Sequence, residues 1–452
     1  MSRIAIIGSG IAGMTAAHRL HAHHDITLFE ANATFGGHTA TVDVERHGRP
    51  WAIDTGFIVF NDWTYPNFIA LLGEIGASWQ WSNMSFSLRC ERSGLEYNGT
   101  SLNALFAQRR NALRPSFLRM IADILRFNAS ARELLATQDD TLTLSEYLRR
   151  GGYSAVFTER YIVPMGRAIW SATGESMLAF PARFFVDFFD RHGFLNVNDR
   201  PVWRAITGGS REYARRLVAP FRDRLRLATP VVGVRRDTTG VSLRTRRGDV
   251  ERFDHVFFAC HSDQALAMLE DPSPLEMELL GAFPYQRNEA LLHTDTRMLP
   301  REPLARAAWN YHLLEDASGP VALTYDMNVL QTLHAPEVFM VTLNRGGDID
   351  PSKVLGEYCY EHPVYTPGAV AAQRRRAEIS GVNRSYYCGA YWRCGFHEDG
   401  VVSALWALQD FARTSGEPQP ATLTTPVLSA APREPQRPSL PLPLPLPWRR
   451  AS

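Results

Sequence analysis

The sequence predicts an α/β fold that begins with a βαβ unit, and three consecutive segments carry that prediction. Residues 3–8 (RIAIIG) are apolar or β-branched almost without interruption, which is typical of a short buried strand. Residues 11–23 (IAGMTAAHRLHAH) have helical character, and residues 25–31 (DITLFEA) again indicate a strand. The whole unit takes about thirty residues, as a βαβ crossover does.

Three glycines lie at the turn between the first strand and the helix. Gly8, Gly10 and Gly13 have the spacing GxGxxG. Gly8 permits the tight turn, Gly10 lets backbone approach a pyrophosphate, and Gly13 lets the helix pack closely on the strand. The first helical turn, which contains Ile11 and Ala12, offers unpaired N–H groups and a partial positive charge to phosphates. The motif predicts a dinucleotide site, and a glycine-rich turn without a ligand is the alternative.

An acidic residue completes the pattern. Glu30 ends the second strand, seventeen residues after Gly13. A carboxylate at that place accepts hydrogen bonds from the ribose hydroxyls of an adenosine. Because it disfavours a 2′-phosphate on the same ribose, we expect FAD or NAD rather than NADP.

Composition and charge narrow the class of protein. The chain has 452 residues, 45% hydrophobic and 21% charged, which is enough for two or three domains. A formal net charge of +1 gives no electrostatic reason to expect nucleic acid as a partner. The five cysteines form no CxxC pair, so neither a metal site nor a disulfide framework is expected. No run of about 18 uncharged apolar residues predicts a membrane span, and we expect a cytoplasmic protein.

Two segments after the βαβ unit resemble the flavin amine oxidase superfamily, which includes monoamine oxidases, phytoene-type desaturases and protoporphyrinogen oxidases. They are EANATFGGHTATVDV (residues 30–44) and WAIDTGFIVFN (residues 51–61). The resemblance implies FAD as the cofactor, with Gly36 and Gly37 along its diphosphate and His38 and Thr39 next to them. His38 stands where the family often has arginine, so a cofactor contact and an ordinary loop histidine are both open.

Two distant segments, residues 225–243 and 385–408, extend the resemblance. In the first, Val231 matches the position whose backbone usually meets the adenine. In the second, GFHEDG resembles the family's second flavin motif. There Gly389 ends a strand, and Asp399, Gly400 and Val401 open a helix whose N-terminus would point at the flavin ring. A positive helix end stabilises the anionic reduced flavin, which favours FAD over NAD.

The predicted cofactor-binding segments are far apart in sequence, so the Rossmann-like, GR2-type FAD-binding domain is expected to be discontinuous. The segments between them are expected to form an inserted α+β substrate domain. A proline-rich end is expected to be polyproline-like or disordered, because proline lacks the N–H donor of helices and strands. The boundaries are 1–75, 205–275 and 380–425 for the FAD-binding domain, 76–204 and 276–379 for the substrate domain, and 426–452 for the tail.

The resemblance implies hydride transfer from a substrate C–H bond to flavin N5, with the protein supplying position and a dry site. His397 and Glu398 are the titratable residues of the flavin motif, and a catalytic proton carrier and a loop-positioning role are both open. Many amine oxidases hold a water on a lysine near N5, whereas the only lysine here is Lys353. Candidate substrate-pocket residues are Arg167, Trp170, Tyr391, Trp392 and Phe396.

Three short segments give a narrower resemblance. GFHEDG, HPVYTPGA (362–369) and VPMGRAIWS (163–171) are similar to bacterial predicted NAD/FAD-binding oxidoreductases, which are commonly encoded beside cyclopropane-fatty-acid-synthase-like methyltransferases. This implies an apolar or lipid substrate such as an acyl chain, and a lipid-modifying enzyme as partner. The alternatives are a true amine oxidase, and a non-catalytic flavoprotein that serves such a partner.

Residues 102–135 are predicted to be helical, with apolar residues at three- and four-residue spacing. Six arginines accompany them, namely Arg109, Arg110, Arg114, Arg119, Arg126 and Arg132. A basic amphipathic helix is typical of peripheral contact with a membrane, here the inner membrane. More often such a helix is a solvated face over a core, and the sequence leaves both open.

Overall fold

The computed structural model describes residues 1–137, 139–316 and 319–416. The predicted proline-rich tail (426–452) and the end of the predicted FAD-binding segment 380–425 lie outside the described residues.

The described chain contains fifteen α-helices. In the first half of the chain they are α1 (Ile11–Leu20), α2 (Pro66–Glu74), α3 (Leu102–Leu105), α4 (Pro115–Ser130), α5 (Leu144–Arg150), α6 (Ala155–Phe157), α7 (Val163–Trp170), α8 (Gly174–Leu178), α9 (Ala182–Arg191) and α10 (Arg211–Val218). In the second half they are α11 (Ser262–Met268), α12 (Pro274–Leu280), α13 (Met327–Leu330), α14 (Pro367–Arg374) and α15 (His397–Ser415).

A parallel sheet of five strands forms the first layer. From edge to edge its strands are β10 (Leu225–Arg226), β2 (Asp25–Phe29), β1 (Arg3–Ile7), β14 (His255–Phe258) and β20 (Ser385–Tyr387). Side chains alternate between the two faces of a strand. In β1, Ile4 and Ile6 enter the core shared with α1, α10 and α15, whereas Ala5 and Ile7 enter a second core beneath the sheet. Burial on both faces explains the unbroken apolar run of this strand.

Three smaller sheets surround this layer. They are the antiparallel sheet of β11 (Val231–Arg236), β12 (Val241–Thr245) and β13 (Val250–Phe253), the hairpin of β3 (Thr41–Arg46) and β4 (Arg49–Asp54), and the sheet in which β9 (Trp203–Ile206) lies between β5 (Val59–Asn61) and β6 (Trp79–Trp81). The first contributes Val231, Val234 and Leu243 to the second core.

A seven-stranded sheet forms the other half of the molecule. In order its strands are β19 (Val354–Pro363), β15 (Tyr285–His293), β18 (Met340–Leu343), β17 (Leu323–Asp326), β16 (Trp309–Leu313), β7 (Phe86–Cys90) and β8 (Glu96–Asn98). Only the β16–β7 pair among them is parallel. One continuous core joins this sheet to helices α4 to α9.

The two large sheets draw on different parts of the sequence. All strands of the five-stranded sheet lie within the segments expected to bind the cofactor, and all strands of the seven-stranded sheet lie within those expected to bind the substrate. The small sheet β5–β9–β6 joins the two parts, since β9 spans the predicted boundary at residue 205.

A buried ion pair ties the second core together. Arg236 of β11 donates two hydrogen bonds to Glu276 of α12, at 2.5 and 2.9 Å, and both side chains are almost fully buried. The hydroxyl of Tyr387 in β20 donates to the same carboxylate at 2.5 Å. A charge buried this deeply must keep its partner, so removing the arginine is expected to be costly.

The predicted helical stretch 102–135 is broken into four pieces. Two of them are α3 and α4, and the other two are 3₁₀ turns at Arg109–Leu113 and Ala131–Ala136. Pro115 explains the break before α4, because the residue before a proline is driven out of the helical region and Arg114 is extended, with ψ 108°. Within the described residues, no helix is both long enough and apolar enough to cross a membrane.

Candidate functional site

The glycine motif forms a turn with open space on one side. Gly8 has φ +102°, and a Cβ there would lie 2.7 Å from the Ala259 carbonyl oxygen. A Cβ on Gly13 would lie 1.9 Å from the Gly8 carbonyl oxygen, so helix and strand touch through this glycine. At Gly10, by contrast, a Cβ would meet nothing within 4 Å, and no side chain caps α1. The first N–H groups of α1, at Ile11 and Ala12, therefore border open space suited to phosphates.

Glu30 follows β2 and lies against this turn. Its carboxylate accepts hydrogen bonds from the backbone N–H of Ser9 at 3.0 Å and of Asn32 at 2.9 Å. The segment that leads into β11 runs alongside, since Thr229 N–H donates to the Glu30 carbonyl at 2.8 Å. Val231, two residues later, is buried at the start of β11. The predicted ribose-binding and adenine-binding residues are thus on neighbouring segments.

A second glycine turn packs on the first. Gly36 and Gly37 have φ +120° and +59°, and a Cβ on Gly37 would lie 3.2 Å from the Gly10 Cα. His38 follows, and its Nε2 is buried without a hydrogen-bond partner among the described residues. Burial and the imidazoles of His362 and His261 lower the pKa of His38 to about 3, so it is neutral at pH 7. A buried, uncharged nitrogen without a protein partner is available to a hydrogen bond from or to a ligand.

The N-terminus of α15 lies against the N-terminus of α1. A Cβ on Gly400 would lie 2.6 Å from the Ile11 side chain, and Val401 beside it is fully buried. The backbone N–H of Gly389, after β20, donates a hydrogen bond to the Ser403 hydroxyl oxygen at 2.9 Å. Two helix N-termini here bring two positive dipole ends together, which favours anionic groups between them.

Asp399 fixes the loop in front of α15. Its Oδ2 accepts hydrogen bonds from the N–H groups of Phe396 at 2.9 Å and Cys394 at 3.2 Å, while Oδ1 lies 3.2 Å from Nε of Arg393. Burial raises the pKa of Asp399. This carboxylate therefore shapes the loop through the protein's own donors.

His397 and Glu398 hold separate elements in place. His397 Nε2 lies 3.0 Å from the Thr39 hydroxyl and 2.9 Å from the Tyr213 hydroxyl, and its ring stacks on Phe57 at 3.6 Å. Burial lowers the pKa of His397 far below its usual value. Glu398 accepts hydrogen bonds from N–H groups at the start of α2, including Phe68 at 2.8 Å. These contacts favour the loop-positioning role, and the catalytic role of both residues stays a prediction.

Aromatic side chains meet in front of the α15 loop. The ring centroids of Phe396 and Phe188 are 5.2 Å apart, and those of Phe188 and Trp170 are 4.7 Å apart. Burial lowers the pKa of His192, which stacks on Phe188 at 3.8 Å, to about 4. We call these neighbouring rings the ring cluster; its members are Trp170, Phe184, Phe188, His192, Tyr365 and Phe396. The cluster is apolar and carries no formal charge at pH 7.

The other predicted pocket residues lie elsewhere. Tyr391 and Trp392 pack around Phe283 in the second core, with ring centroids 5.1 and 5.4 Å from it. The hydroxyl of Tyr391 and Nε1 of Trp392 are buried without a partner among the described residues. Arg167 donates to the carbonyls of Ala172 at 3.1 Å and Gly319 at 2.5 Å, so it fixes the chain after α7. The structure thus joins only Trp170 and Phe396, through Phe188.

Comparison with known proteins decides the family. A model of the flavin containing amine oxidoreductases matches residues 11–295, which is more than half of the chain. The chain belongs to this family. It is a flavin oxidoreductase, and FAD is its cofactor.

Solved structures share the fold of this flavin oxidoreductase. Cyclohexylamine oxidase from Brevibacterium oxydans IH-35A is 16% identical with a TM-score of 0.68, and the match covers 92% of this chain and 99% of that one. A fatty acid isomerase from P. acnes that produces CLA is 16% identical with a TM-score of 0.65, covering 89% and 97%. At these identities the likeness concerns the fold.

One curated relative matches over a short stretch. The protein named "Probable flavin-containing monooxygenase 1" of Arabidopsis thaliana is 35% identical over 83 residues. That stretch is 16% of this chain and spans only 14% of the relative's length.

The residues of the flavin oxidoreductase fit FAD at three places. Gly10 leaves open space before an uncapped helix, the His38 imidazole has an unpartnered buried nitrogen, and α1 and α15 present their N-termini to each other. When bound, FAD supplies the hydride acceptor. The residues predicted to hold it are the first turn of α1 for the phosphates and Glu30 for the ribose, and the positive end of α15 would stabilise a reduced, anionic flavin.

Three residues near the predicted site were not identified from the sequence. The rings of Tyr360, His362 and His261 lie 5.2, 5.4 and 6.4 Å from that of His38. The HPVYTPGA segment contained a signal for His362, but its spacing gave no role. Burial lowers the pKa of His362 to about 4. Among the described residues, no group of three or more His, Cys, Asp or Glu side chains is arranged to hold a metal ion.

Proposed function

We propose that this flavin oxidoreductase removes hydride from an apolar substrate, a lipid acyl chain, and so oxidises or desaturates it. The observation that carries the proposal is the ring cluster next to the α15 loop. An alkyl chain among these rings leaves water without burying a charge, which is the favourable case for apolar burial. The ring cluster would also keep the reacting C–H bond dry.

Two polar atoms in the ring cluster support a substrate with one polar end. Nε1 of Trp170 and the hydroxyl of Tyr365 are buried without a partner among the described residues. Both rings contact Phe184, with centroids 5.9 and 5.3 Å away. Buried donors of this kind are usually satisfied, so they are available to orient a carbonyl or hydroxyl of the substrate. The fold likeness to an enzyme named as a fatty acid isomerase points to the same substrate class.

Amine oxidation is the second candidate, favoured by the fold likeness to cyclohexylamine oxidase. The position of Lys353 weighs against it. Lys353 lies 3.7 Å from Asp295, just before β19, whereas His362 near the other end of β19 lies beside His38. At about 3.3 Å per residue, some 30 Å separate this lysine from the His38 region. Lys353 is therefore far from the turns predicted to bind the cofactor, whereas the lysine of many amine oxidases holds its water next to the flavin.

Anaerobic mixing tests the proposal. FAD-loaded protein is mixed with fatty acids, with phospholipids, and with cyclohexylamine or putrescine, and loss of the visible absorbance of oxidised flavin is followed. Bleaching by acyl lipids, with a new double bond or oxidised carbon found by mass spectrometry, supports the proposal. Bleaching by amines alone would replace it with amine oxidation. Bleaching by neither class would favour a non-catalytic flavoprotein that serves a lipid-modifying partner.

Helix α9 offers a matched pair of variants. Phe188 and Phe189 are adjacent and both buried, but Phe188 contacts Phe396 whereas Phe189 contacts Phe127 on the far side. Phe188→Leu should weaken substrate-dependent flavin bleaching. Phe189→Leu should cost similar stability, about 1 kcal/mol, and leave bleaching unchanged. Equal effects of both variants on bleaching would show that the ring cluster is only core.

A further inference from the structure

Helix α4 has two apolar faces, of which only one is buried. Phe117, Met120 and Phe127 point into the core. The opposite side of the helix carries four more apolar residues at four- and three-residue spacing, namely Leu118, Ala122, Leu125 and Ala129, all exposed. Residues at this spacing lie on one helix face. The exposed fractions of Leu118 and Leu125 are 45% and 54%.

This outer face continues past the helix start. Leu113, at the end of the preceding 3₁₀ turn, is 86% exposed, among the largest exposures of any apolar side chain in the described chain. We call Leu113, Leu118, Ala122, Leu125 and Ala129 the α4 surface. From residue 118 to residue 129 it runs for about 16 Å at 1.5 Å per residue.

Arginines surround the α4 surface. Residues 101–130 contain five arginines and a single acidic residue, Asp123, so this segment is locally basic in a chain whose net charge is +1. Arg119 and Arg126 pair with Asp123. Within the described chain, Arg110 and Arg114 have no carboxylate within 4 Å, so their charges are free to meet an anion outside the protein.

We propose that the α4 surface docks on a lipid bilayer that carries anionic phospholipids. An amphipathic helix lying flat in the interface buries its apolar stripe among the acyl chains and leaves its arginines at the phosphates. A two-fold copy of the same surface would bring arginines of both chains together, which repels. The mixture of exposed leucine and unpaired arginine therefore fits an anionic membrane better than a second copy.

The inner face of α4 leads toward the ring cluster. Phe127 lies 6.5 Å from Phe189, Phe189 lies 4.2 Å from Phe185, and Phe185 lies 5.8 Å from Trp170. One apolar core thus extends from the inner face of α4 to the rings near the cofactor site. Docking would bring a membrane acyl chain to this side of the molecule; this link rests on the proposed function, whereas docking itself does not.

Sedimentation of the full chain with vesicles tests the docking. We expect the wild type to sediment with vesicles of phosphatidylcholine and phosphatidylglycerol, less at high salt, and to stay in solution with phosphatidylcholine alone. Leu118→Gln with Leu125→Gln should weaken binding about tenfold to a hundredfold. The two leucines are each about half exposed, so together they offer the bilayer about as much apolar surface as one fully exposed leucine side chain. Arg110→Gln with Arg114→Gln should weaken it on the order of 30-fold.

Matched variants away from the α4 surface serve as controls. Met277→Gln changes a 49% exposed apolar residue of α12, and Arg246→Gln with Arg247→Gln removes two exposed arginines from the β12–β13 turn. These variants should bind vesicles like the wild type, and circular dichroism should show that every variant is folded.

Two results would overturn the proposal. One is that the wild type does not bind anionic vesicles, or that both double variants bind them as strongly as the wild type. The other is a dimer in solution that Leu118→Gln with Leu125→Gln dissociates in the absence of vesicle binding, which would make this face a contact between copies. A failure to oxidise lipids, with vesicle binding intact, would count against the proposed function alone.

Discussion

Two of the three glycines of the GxGxxG turn, Gly10 and Gly13, should respond in opposite ways to substitution by alanine. Gly10 has φ −64°, which any residue adopts, and a methyl group there meets nothing within 4 Å. A methyl group on Gly13 would lie 1.9 Å from the Gly8 carbonyl oxygen and 3.1 Å from the Ala259 Cβ. Gly10→Ala should therefore spare the apoprotein and harm FAD binding, whereas Gly13→Ala should harm the fold itself.

The magnitudes follow from these contacts. At Gly10, the loss of a preferred N-cap residue costs about 0.5–1 kcal/mol, and reduced entropy of the unfolded chain returns a similar amount. Stability of the apoprotein should stay within about 1 kcal/mol. The same methyl group occupies the space of the pyrophosphate, and we expect FAD affinity to fall at least about a hundredfold, or about 2.7 kcal/mol. At Gly13 the turn must move by more than about 1 Å, at a cost of about 3 kcal/mol.

Urea unfolding of flavin-free protein and titration with FAD, followed by quenching of flavin fluorescence, measure both quantities on the same samples. The wild type should gain stability when FAD is added, by about 2.7 kcal/mol at a hundredfold excess over Kd. The flavin-free Gly10→Ala variant should unfold like the flavin-free wild type, and it should gain little stability when FAD is added. If Gly10→Ala keeps wild-type FAD affinity, the phosphates do not lie over this residue, and the assignment of the motif is refuted.

Three further predictions concern buried charges. Arg236→Met leaves the buried carboxylate of Glu276 without its cation, and should lower the free energy of unfolding, measured in urea, by about 3–5 kcal/mol. The control Arg244→Met breaks an exposed ion pair and should change that free energy by less than about 1 kcal/mol. The His192 imidazole is neutral in the folded protein and takes up a proton below about pH 6.5 in the unfolded chain. As the pH is lowered from about 6.5 to about 4, its contribution to the free energy of unfolding should therefore fall by about 1.4 kcal/mol per pH unit. Urea titrations of His192→Phe should show a shallower loss over this range. Glu398→Gln should lower stability by about 1–2 kcal/mol through weaker capping of α2 and leave the pH profile of flavin reduction unchanged.

Each of these has a contradicting outcome. Equal losses in both arginine variants would mean that the core ion pair is hydrated. If His192→Phe loses stability with falling pH as steeply as the wild type, the His192 imidazole titrates freely in the native state. A shifted pH profile of flavin reduction in Glu398→Gln would restore this residue as a proton carrier.

The sequence predicted the parts of the fold that are encoded locally. β1, α1 and β2 were found because an apolar run, a glycine turn and a helical pattern follow each other within thirty residues. The strand β20 and helix α15 were predicted from the resemblance of residues 385–408, although α15 begins at His397, two residues earlier than expected. The glycine spacing predicted a dinucleotide site because it expresses a close backbone approach to a pyrophosphate, and the resemblance of the later segments to a flavin family selected FAD.

The rest depends on contacts that no local pattern reveals. Nothing in the run ARFFVDFFDR distinguishes Phe188, which contacts Phe396, from Phe189, which faces the opposite side. The two histidines beside His38 come from positions more than 200 residues distant, since His261 precedes α11 and His362 belongs to β19. The prediction of a helix over residues 102–135 was wrong about its continuity, because it followed the three- and four-residue spacing of apolar residues and did not take account of Pro115. That α4 has a second, exposed apolar face becomes visible only when its neighbours in the fold are known.

The contact between Gly400 and Ile11 sets an order of events during synthesis. A nascent chain that has left the ribosome only as far as residue 380 has the GxGxxG turn and Glu30, but neither the edge strand β20 nor the N-terminus of α15. FAD should therefore bind only in the last stage of translation or after the chain is released. A chain truncated at residue 380 should be found without flavin and with an incomplete core.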